Sequence, residues 1–504
     1  MATLNQQETL DVLIIGAGLS GIGAACRLKM HCPEERFEIF EARERMGGTW
    51  DLFRYPGVRS DSDMYTLGYP FRPWPDSQPI ADGDIIRDYI NETAAEYGVD
   101  GLIRYGREVT GASWSSDRQL WTVSYRENGQ DGQITCRFLL ACAGYYDYAE
   151  GHAPDFPGKD AFGGQILHPQ FWPEDFSAEG KKIIVIGSGA TAITVVPALA
   201  EHAEHVTMLQ RSPSDVVPRI AEDGFARTVG RLPAKKFAGS LIRWRSILLS
   251  IVQYGFARWK PDFARKSIKK IAQEEAGPNV DAEIAFSPRY NVWDQRVCLD
   301  PDSVFFRSLK EGRASIVTNQ IEKLDETGVL LADGTHLVAD AVVTATGLKI
   351  KLFGGIALTV DGEKLNFADR LIYKGMMIEG APNFAFCFGY TNASWTLKAD
   401  LSARHVCRIL NRIRKKGYGV CRPDTPPEPR ETVPLIHFNS GYIERAANVL
   451  PKQGVKAPWR VHQNYLADLS AYQFGQVEDG VLKFEPATRI TEGIPQGTPA
   501  DASA

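Results

Sequence analysis

The chain has 504 residues, 57 Lys and Arg against 62 Asp and Glu, and a net charge of −5, with 44% apolar residues. That length suggests about three domains with ample core, and the ordinary composition excludes chain-wide disorder. The near-neutral balance lacks the basic excess of a dedicated nucleic-acid binder.

The opening decapeptide MATLNQQETL has neither the charged nor the apolar region of a secretory signal. No run of 18 apolar residues predicts a spanning helix. The eight cysteines form no CxxC pair, so they read as reduced, mostly buried thiols. No His falls at ligand spacing near Cys or Glu, which leaves a metal site unsupported. The expected location is cytoplasmic.

The first predicted strand, DVLII from Asp11 to Ile15, leads into Gly16-x-Gly18-x-x-Gly21 and a helical stretch. In such a turn the first glycine allows the bend and the second lets backbone approach a pyrophosphate. The third lets the helix pack on the strand, whose neighbour helix presents its N-terminus to the phosphates. The next strand, FEIFE, ends at Glu41, 20 residues beyond Gly21. A carboxylate there accepts from ribose hydroxyls, so this site is expected to hold an unphosphorylated adenosine, as in FAD or NAD.

The pattern recurs at KIIVI from Lys182 to Ile186, followed by Gly187-x-Gly189-x-x-Ala192 and the strand HVTML. Here the second strand leads to Arg211 and Ser212 with no carboxylate at the ribose position. An arginine there suits a 2′-phosphate, so the second site reads as NADPH. Each unit is echoed by an apolar strand, RFLLACAGYY (Arg137 to Tyr146) and ADAVVTATG (Ala339 to Gly347), and each echo follows a hairpin-like stretch with a turn at Asn128-Gly129 or Asp333-Gly334.

The expected fold is α/β, with two Rossmann-like dinucleotide-binding domains, the NADPH domain inserted into the FAD domain, and a helical insertion. We assign 1–150 to the first part of the FAD domain and 151–180 to a linker. The NADPH domain takes 181–213 and 290–348, the basic helical insertion 214–289, and the returning FAD domain with a substrate-side segment 349–485. Residues 486–504 are expected to be a disordered tail. Positions 231–270 hold 11 Lys and Arg and one acid. This fits a solvated basic face; the interleaved Trp244, Leu248, Leu249, Val252, Trp259 and Ile268 also fit weak peripheral contact with anionic membrane.

One chain with FAD-like and NADPH-like sites is a flavoprotein oxidoreductase. Without a redox-active cysteine pair, dioxygen is the expected electron acceptor. Phe162-x-Gly164-x-x-x-His168-x-x-x-Trp172-Pro173, in FGGQILHPQFWP, precedes the second fingerprint and resembles the signature of type I Baeyer–Villiger monooxygenases. GGTWDLFRYPGVRSDSDMYTLGYPFRPW, YNVWDQRVCL and FGYTNASWTLKADL are similar to the ethionamide-activating monooxygenase subgroup. The resemblance runs from about Val12 to about Tyr465.

It implies conversion of ketones to esters or lactones through a C4a-peroxyflavin, and oxidation of thioethers, with FAD, NADPH and dioxygen. Ser20 and Glu41 would contact FAD phosphate and ribose. Thr49, Trp50, Asp51 and Leu52 would line the flavin, and Val109 would pack at the adenine. Arg59, Ser60 and Asp61 correspond to the loop between flavin and nicotinamide. Gly187, Ser188, Gly189, Ala190, Thr191, Ala192 and Ile193, with Arg211 and Ser212, would hold NADPH. Arg296 in DQR matches the family's active-site arginine, and Asp61 would orient it. Gln295 stands where many members carry Lys, which puts more of the NADPH selectivity on Arg211. His168 reads equally as a hinge residue or a catalytic one. An N- or S-oxygenating flavin monooxygenase and a non-catalytic redox sensor are the competing functions; Trp172-Pro173 and DQR argue against the first.

Overall fold

The computed structural model describes residues 9–427, 430–435, 445 and 449–488. The first unit is a nine-stranded sheet whose parallel centre pairs Leu10–Ile15 with both Phe37–Phe40 and Gln130–Ala141. Near-continuous apolar runs such as LDVLII suit strands buried on both faces. The sheet extends antiparallel through Leu120–Glu127 and Arg107–Ser115, and the hairpin joining Leu120–Glu127 to Gln130–Ala141 turns at Asn128 (φ 51°) and Gly129 (φ 78°). Positive φ at both central residues is the type I′ geometry that Asn-Gly favours.

Ala357–Val360 pairs parallel with Arg107–Ser115, and Phe384–Phe386 with Gln130–Ala141. The chain thus comes back to its first sheet after a second, five-stranded parallel sheet. That sheet runs in the order Ala314–Thr318, His205–Gln210, Lys182–Ile186, Ala341–Thr344 and Gln165–Leu167. An antiparallel ribbon of Tyr146–Gly151 and Leu348–Ile350 carries both crossings between the sheets.

Both central strands, Leu10–Ile15 and Lys182–Ile186, run into a glycine turn and then a helix, Leu19–His31 or Ala190–Ala200. Each is flanked by neighbours that connect in opposite directions, so its carboxyl end opens into a crevice. Between Pro213 and Arg289 the chain is mainly helical, with Lys235–Trp259 and Pro261–Ala276 the longest pieces. Of the expected tail, Pro486 ends a strand paired with Tyr418–Pro423 and Thr488 donates its N–H to Gln119. Residues 489–504 lie outside the described residues.

Candidate active site

The two glycine turns open into one cleft of about 1220 Å³. At the first turn Gly16 has φ +97°, and a Cβ there would sit 2.8 Å from the Cys142 carbonyl. Gly21 lies behind the turn, where a Cβ would meet the Gly16 carbonyl at 1.8 Å. It lets the helix close onto the strand, as expected of the third glycine, and does not line the cleft. Gly18 and Ser20 do line it. The Gly18 backbone lies against that of Gly48, 3.3 Å from Gly48 Cα to a Cβ built on Gly18. That leaves a narrow cradle of backbone which a side chain would fill.

Glu41 is buried at the end of its strand. Its Oε2 accepts the Ala17 N–H at 2.7 Å and its Oε1 the Arg43 N–H at 3.0 Å. Burial raises its pKa against the lowering effect of those two N–H groups. Each oxygen keeps a second lone pair for a hydroxyl. Glu41 therefore shapes the turn as well as facing the cleft.

Thr49, Trp50 and Val109 line the cleft, whereas Asp51 and Leu52 do not. Asp51 is 1% exposed and ion-paired to Arg43 and Arg54, both at 2.8 Å. It braces the 47–54 loop from behind. Ser60 is likewise buried, its Oγ accepting the Ala81 N–H.

At the second turn Gly187, Ser188, Gly189, Ala190 and Thr191 line the cleft, while Ala192 and Ile193 are buried in the core beneath. Ser188 Oγ donates to the Ser212 carbonyl at 2.8 Å, tying the turn to the loop that carries Arg211. Arg211 and Ser212 also line the cleft, and Arg211 is exposed. A small residue suffices at Ala192 because its whole side chain is packed.

Between the two turns stand Arg59, Asp61 and Arg296. Arg296 Nη1 lies 3.5 Å from Asp61 Oδ2, and both side chains are partly exposed. Arg59 is mostly buried, 3.9 Å from the fully buried Asp300, and its Nη2 has no hydrogen-bond partner among the described residues. Asp300 is itself held by the N–H groups of Phe305 and Phe306. The site so built has a backbone cradle with a buried acceptor at one end, an exposed guanidinium at the other, and two arginines with a carboxylate between. These groups fit a flavin dinucleotide and a phosphorylated nicotinamide dinucleotide.

His168 does not line the cleft. Its ring lies close against Gly151 of the linking ribbon, where a Cβ would be 2.2 Å from Cε1, and its Nδ1 accepts the Gln170 N–H. Burial lowers its pKa, which favours neutral imidazole.

Sequence reasoning assigned no role to Arg43, Tyr145, Tyr148 or Trp395. Tyr148 hydroxyl bonds Thr49 Oγ1 at 3.1 Å, and Tyr145 stacks on Trp395 at 5.2 Å between centroids. Trp395 begins a 22-residue helix immediately after the stretch FGYTNAS. That aromatic in a glycine-containing loop was the available signal.

Residues 9–243 match the family described as flavin-binding monooxygenase-like. The chain is 46% identical over 478 residues to "FAD-containing monooxygenase EthA" of Mycolicibacterium smegmatis, covering 95% of this chain and 97% of that protein. It is 46% identical over 489 residues to "Putative FAD-containing monooxygenase MymA" of Mycobacterium tuberculosis, covering 96% of this chain and 99% of the other. Two solved structures share the fold: an oxidized steroid monooxygenase bound to NADP (TM-score 0.75, 22% identity) and the open form of cyclohexanone monooxygenase (TM-score 0.72, 20% identity). Each covers 95% of this chain and 100% of its own. With relatives this similar over nearly its full length, the chain is an enzyme and belongs to the flavin-binding monooxygenase family.

Proposed function

We propose that the enzyme is a FAD-containing, NADPH- and dioxygen-dependent Baeyer–Villiger monooxygenase that converts ketones to esters or lactones and also oxidises thioethers. The observation that carries this reading is the Arg296–Asp61 pair, set between two dinucleotide-type turns that open into one cleft. When bound, FAD would supply hydride acceptance from NADPH and activation of dioxygen, one of whose oxygen atoms would pass to the substrate and the other leave as water.

The chain's own residues hold and polarise. Gly16, Gly18, Ser20 and Glu41 seat the FAD phosphates and ribose, and Gly187 to Thr191 with Arg211 and Ser212 seat NADPH. Insertion of oxygen beside a carbonyl builds negative charge on oxygen, and a guanidinium stabilises it without giving up a proton. Arg296 is placed for that role. Asp61 orients the guanidinium and balances its charge while substrate is absent. Arg59, backed by Asp300, adds a second fixed cation to the same wall.

The test is a panel of linear, cyclic and aromatic ketones and thioethers with NADPH under air, with products identified by mass. Ester or lactone formed in step with NADPH consumption supports the reading. Sulfoxide or N-oxide products with no ester from any ketone would replace it with the N- or S-oxygenating alternative.

A further inference from the structure

The helix Lys235–Trp259 is apolar on two sides. Its inner side is firmly docked: Ile242 and Ile247 are buried, and Arg243 Nη1 donates to the carbonyls of Tyr65, Thr66 and Gly68 at 2.7–3.2 Å. Its outer side should then be polar. Instead Leu241, Trp244, Leu248, Val252, Phe256 and Trp259 are all exposed, Val252 at 65% and Trp259 at 71%. Their spacing of three and four residues places them on one face, in a stripe about 27 Å long at 1.5 Å rise per residue.

The stripe ends in a cluster of three exposed rings at the corner with the next helix. Phe256 lies 6.3 Å from Trp259 and 5.9 Å from Phe263 between centroids. A contiguous apolar strip of this kind marks a surface that meets something other than water.

Charge says what it meets. Residues 231–270 carry 11 Lys and Arg and one Asp in a chain of net charge −5. Arg245, Arg258 and Lys269 pair with Asp223, Asp294 and Glu283. Lys260 and Lys266 are exposed beside the three rings, one next to Trp259 and the other one turn after Phe263, and Lys260 Nζ lies 4.8 Å over the Trp259 ring. A second copy of the chain is a poor occupant, because a two-fold contact would set this basic surface against itself. Among the described residues no helix is long and apolar enough to cross a membrane. A docked amphipathic helix with aromatics on its apolar line and lysines beside it suits the plane of an interface instead.

We propose that the outer edge of Lys235–Trp259, with the start of the following helix, is a docking surface for an anionic phospholipid bilayer. Trp259, Phe256 and Phe263 enter the headgroup boundary and the flanking lysines face the lipid phosphates.

The holoenzyme is sedimented with phosphatidylglycerol–phosphatidylcholine vesicles and with pure phosphatidylcholine vesicles, at low and high salt. Expected is binding at least tenfold tighter to the anionic vesicles, lost at high salt. The triple variant F256S/W259S/F263S should lose at least tenfold in that binding while retaining its flavin absorbance and ketone oxidation. The variant K260E/K266E should lose the preference for anionic lipid while every residue of the apolar stripe is kept. Equal binding to both vesicle types, or triple-variant binding at the level of the parent enzyme, overturns the proposal. So does a concentration-dependent dimer that the triple variant dissolves in an enzyme that binds no vesicle.

Discussion

Trp395 donates its indole N–H to Ser20 Oγ at 2.7 Å across 375 residues of sequence. This bond ties the returning helix to the first glycine turn, at the point proposed to cradle the FAD phosphates. Tyr145 stacks on the same indole at an interplanar angle of 13°. Trp395→Phe keeps most of the stack and removes the donor. A neutral hydrogen bond contributes roughly 0.5–1.5 kcal/mol, so FAD affinity should fall about 2- to 13-fold. Titration of deflavinated protein by flavin fluorescence checks this, and an unchanged affinity would separate Ser20 positioning from flavin binding.

NADPH should be preferred over NADH. Arg211 is exposed at the far wall of the cleft, and its loop is fixed by the Ser188–Ser212 bond. A charge-assisted phosphate contact contributes about 1.5–3 kcal/mol, so Arg211→Ala should weaken NADPH about 10- to 150-fold in KM. NADH should be little affected. Gln295, also on the cleft wall, offers the reverse test: Gln295→Lys adds a cation there and should tighten NADPH. Full discrimination retained by Arg211→Ala would place the 2′-phosphate elsewhere.

How far this site could be read in advance depends on sequence separation. The relation of Gly16, Gly18 and Glu41 lies within one strand–turn–helix–strand unit, whose geometry is local, so spacing alone locates all three. The insertion of one unit into the other was legible because each fingerprint has its own downstream strand. Ser20–Trp395 and Arg59–Asp300 depend instead on which strands become neighbours in two separate sheets, and no local pattern encodes that. Asp51 illustrates the converse. It sits beside Trp50 in sequence, yet the helical turn at Thr49–Leu52 sends it to the opposite side, into Arg43 and Arg54. The outer line of the long helix was visible only as interleaved apolar and basic residues. Which of its two apolar faces would be covered required the packing of Arg243.

Asp215 gives stability a pH dependence. Its side chain is buried, its Oδ2 has no hydrogen-bond partner among the described residues, and burial pushes its carboxyl up to about 6 despite Arg265 nearby. In the unfolded chain it titrates near 3.9. Between those values the folded protein binds more protons than the unfolded one, so stability falls as pH rises from about 4 to about 6 and stays reduced above. Asp215→Asn removes the charge and this penalty. The variant should be more stable than the parent at pH 8, by up to about 3 kcal/mol, with the difference shrinking toward pH 4. Thermal unfolding across that range checks the sign, and a variant less stable at pH 8 would show that the ionised carboxylate is held by a partner.

Arg296 gives the sharpest test of the proposed chemistry. It lies 3.5 Å from Asp61 in the cleft, and its side chain is 40% exposed. Arg296→Ala, the removal of a side chain exposed to this degree, is expected to leave the fold, the flavin and NADPH binding intact. Hydride transfer requires only that the two cofactors be aligned, so anaerobic bleaching of the flavin by NADPH should persist. Ester formation should fall on the order of 10²-fold or more in kcat, the scale for removing one donor that stabilises a developing oxyanion. NADPH oxidation in air should then appear as hydrogen peroxide rather than product. Arg296→Lys keeps a charge but loses the fork geometry and should recover only part of the rate. Asp61→Asn should act through the arginine, lowering kcat less than Arg296→Ala while leaving the KM for NADPH near its original value. Ester produced by Arg296→Ala at the parent rate would remove this residue from the oxygen-transfer step.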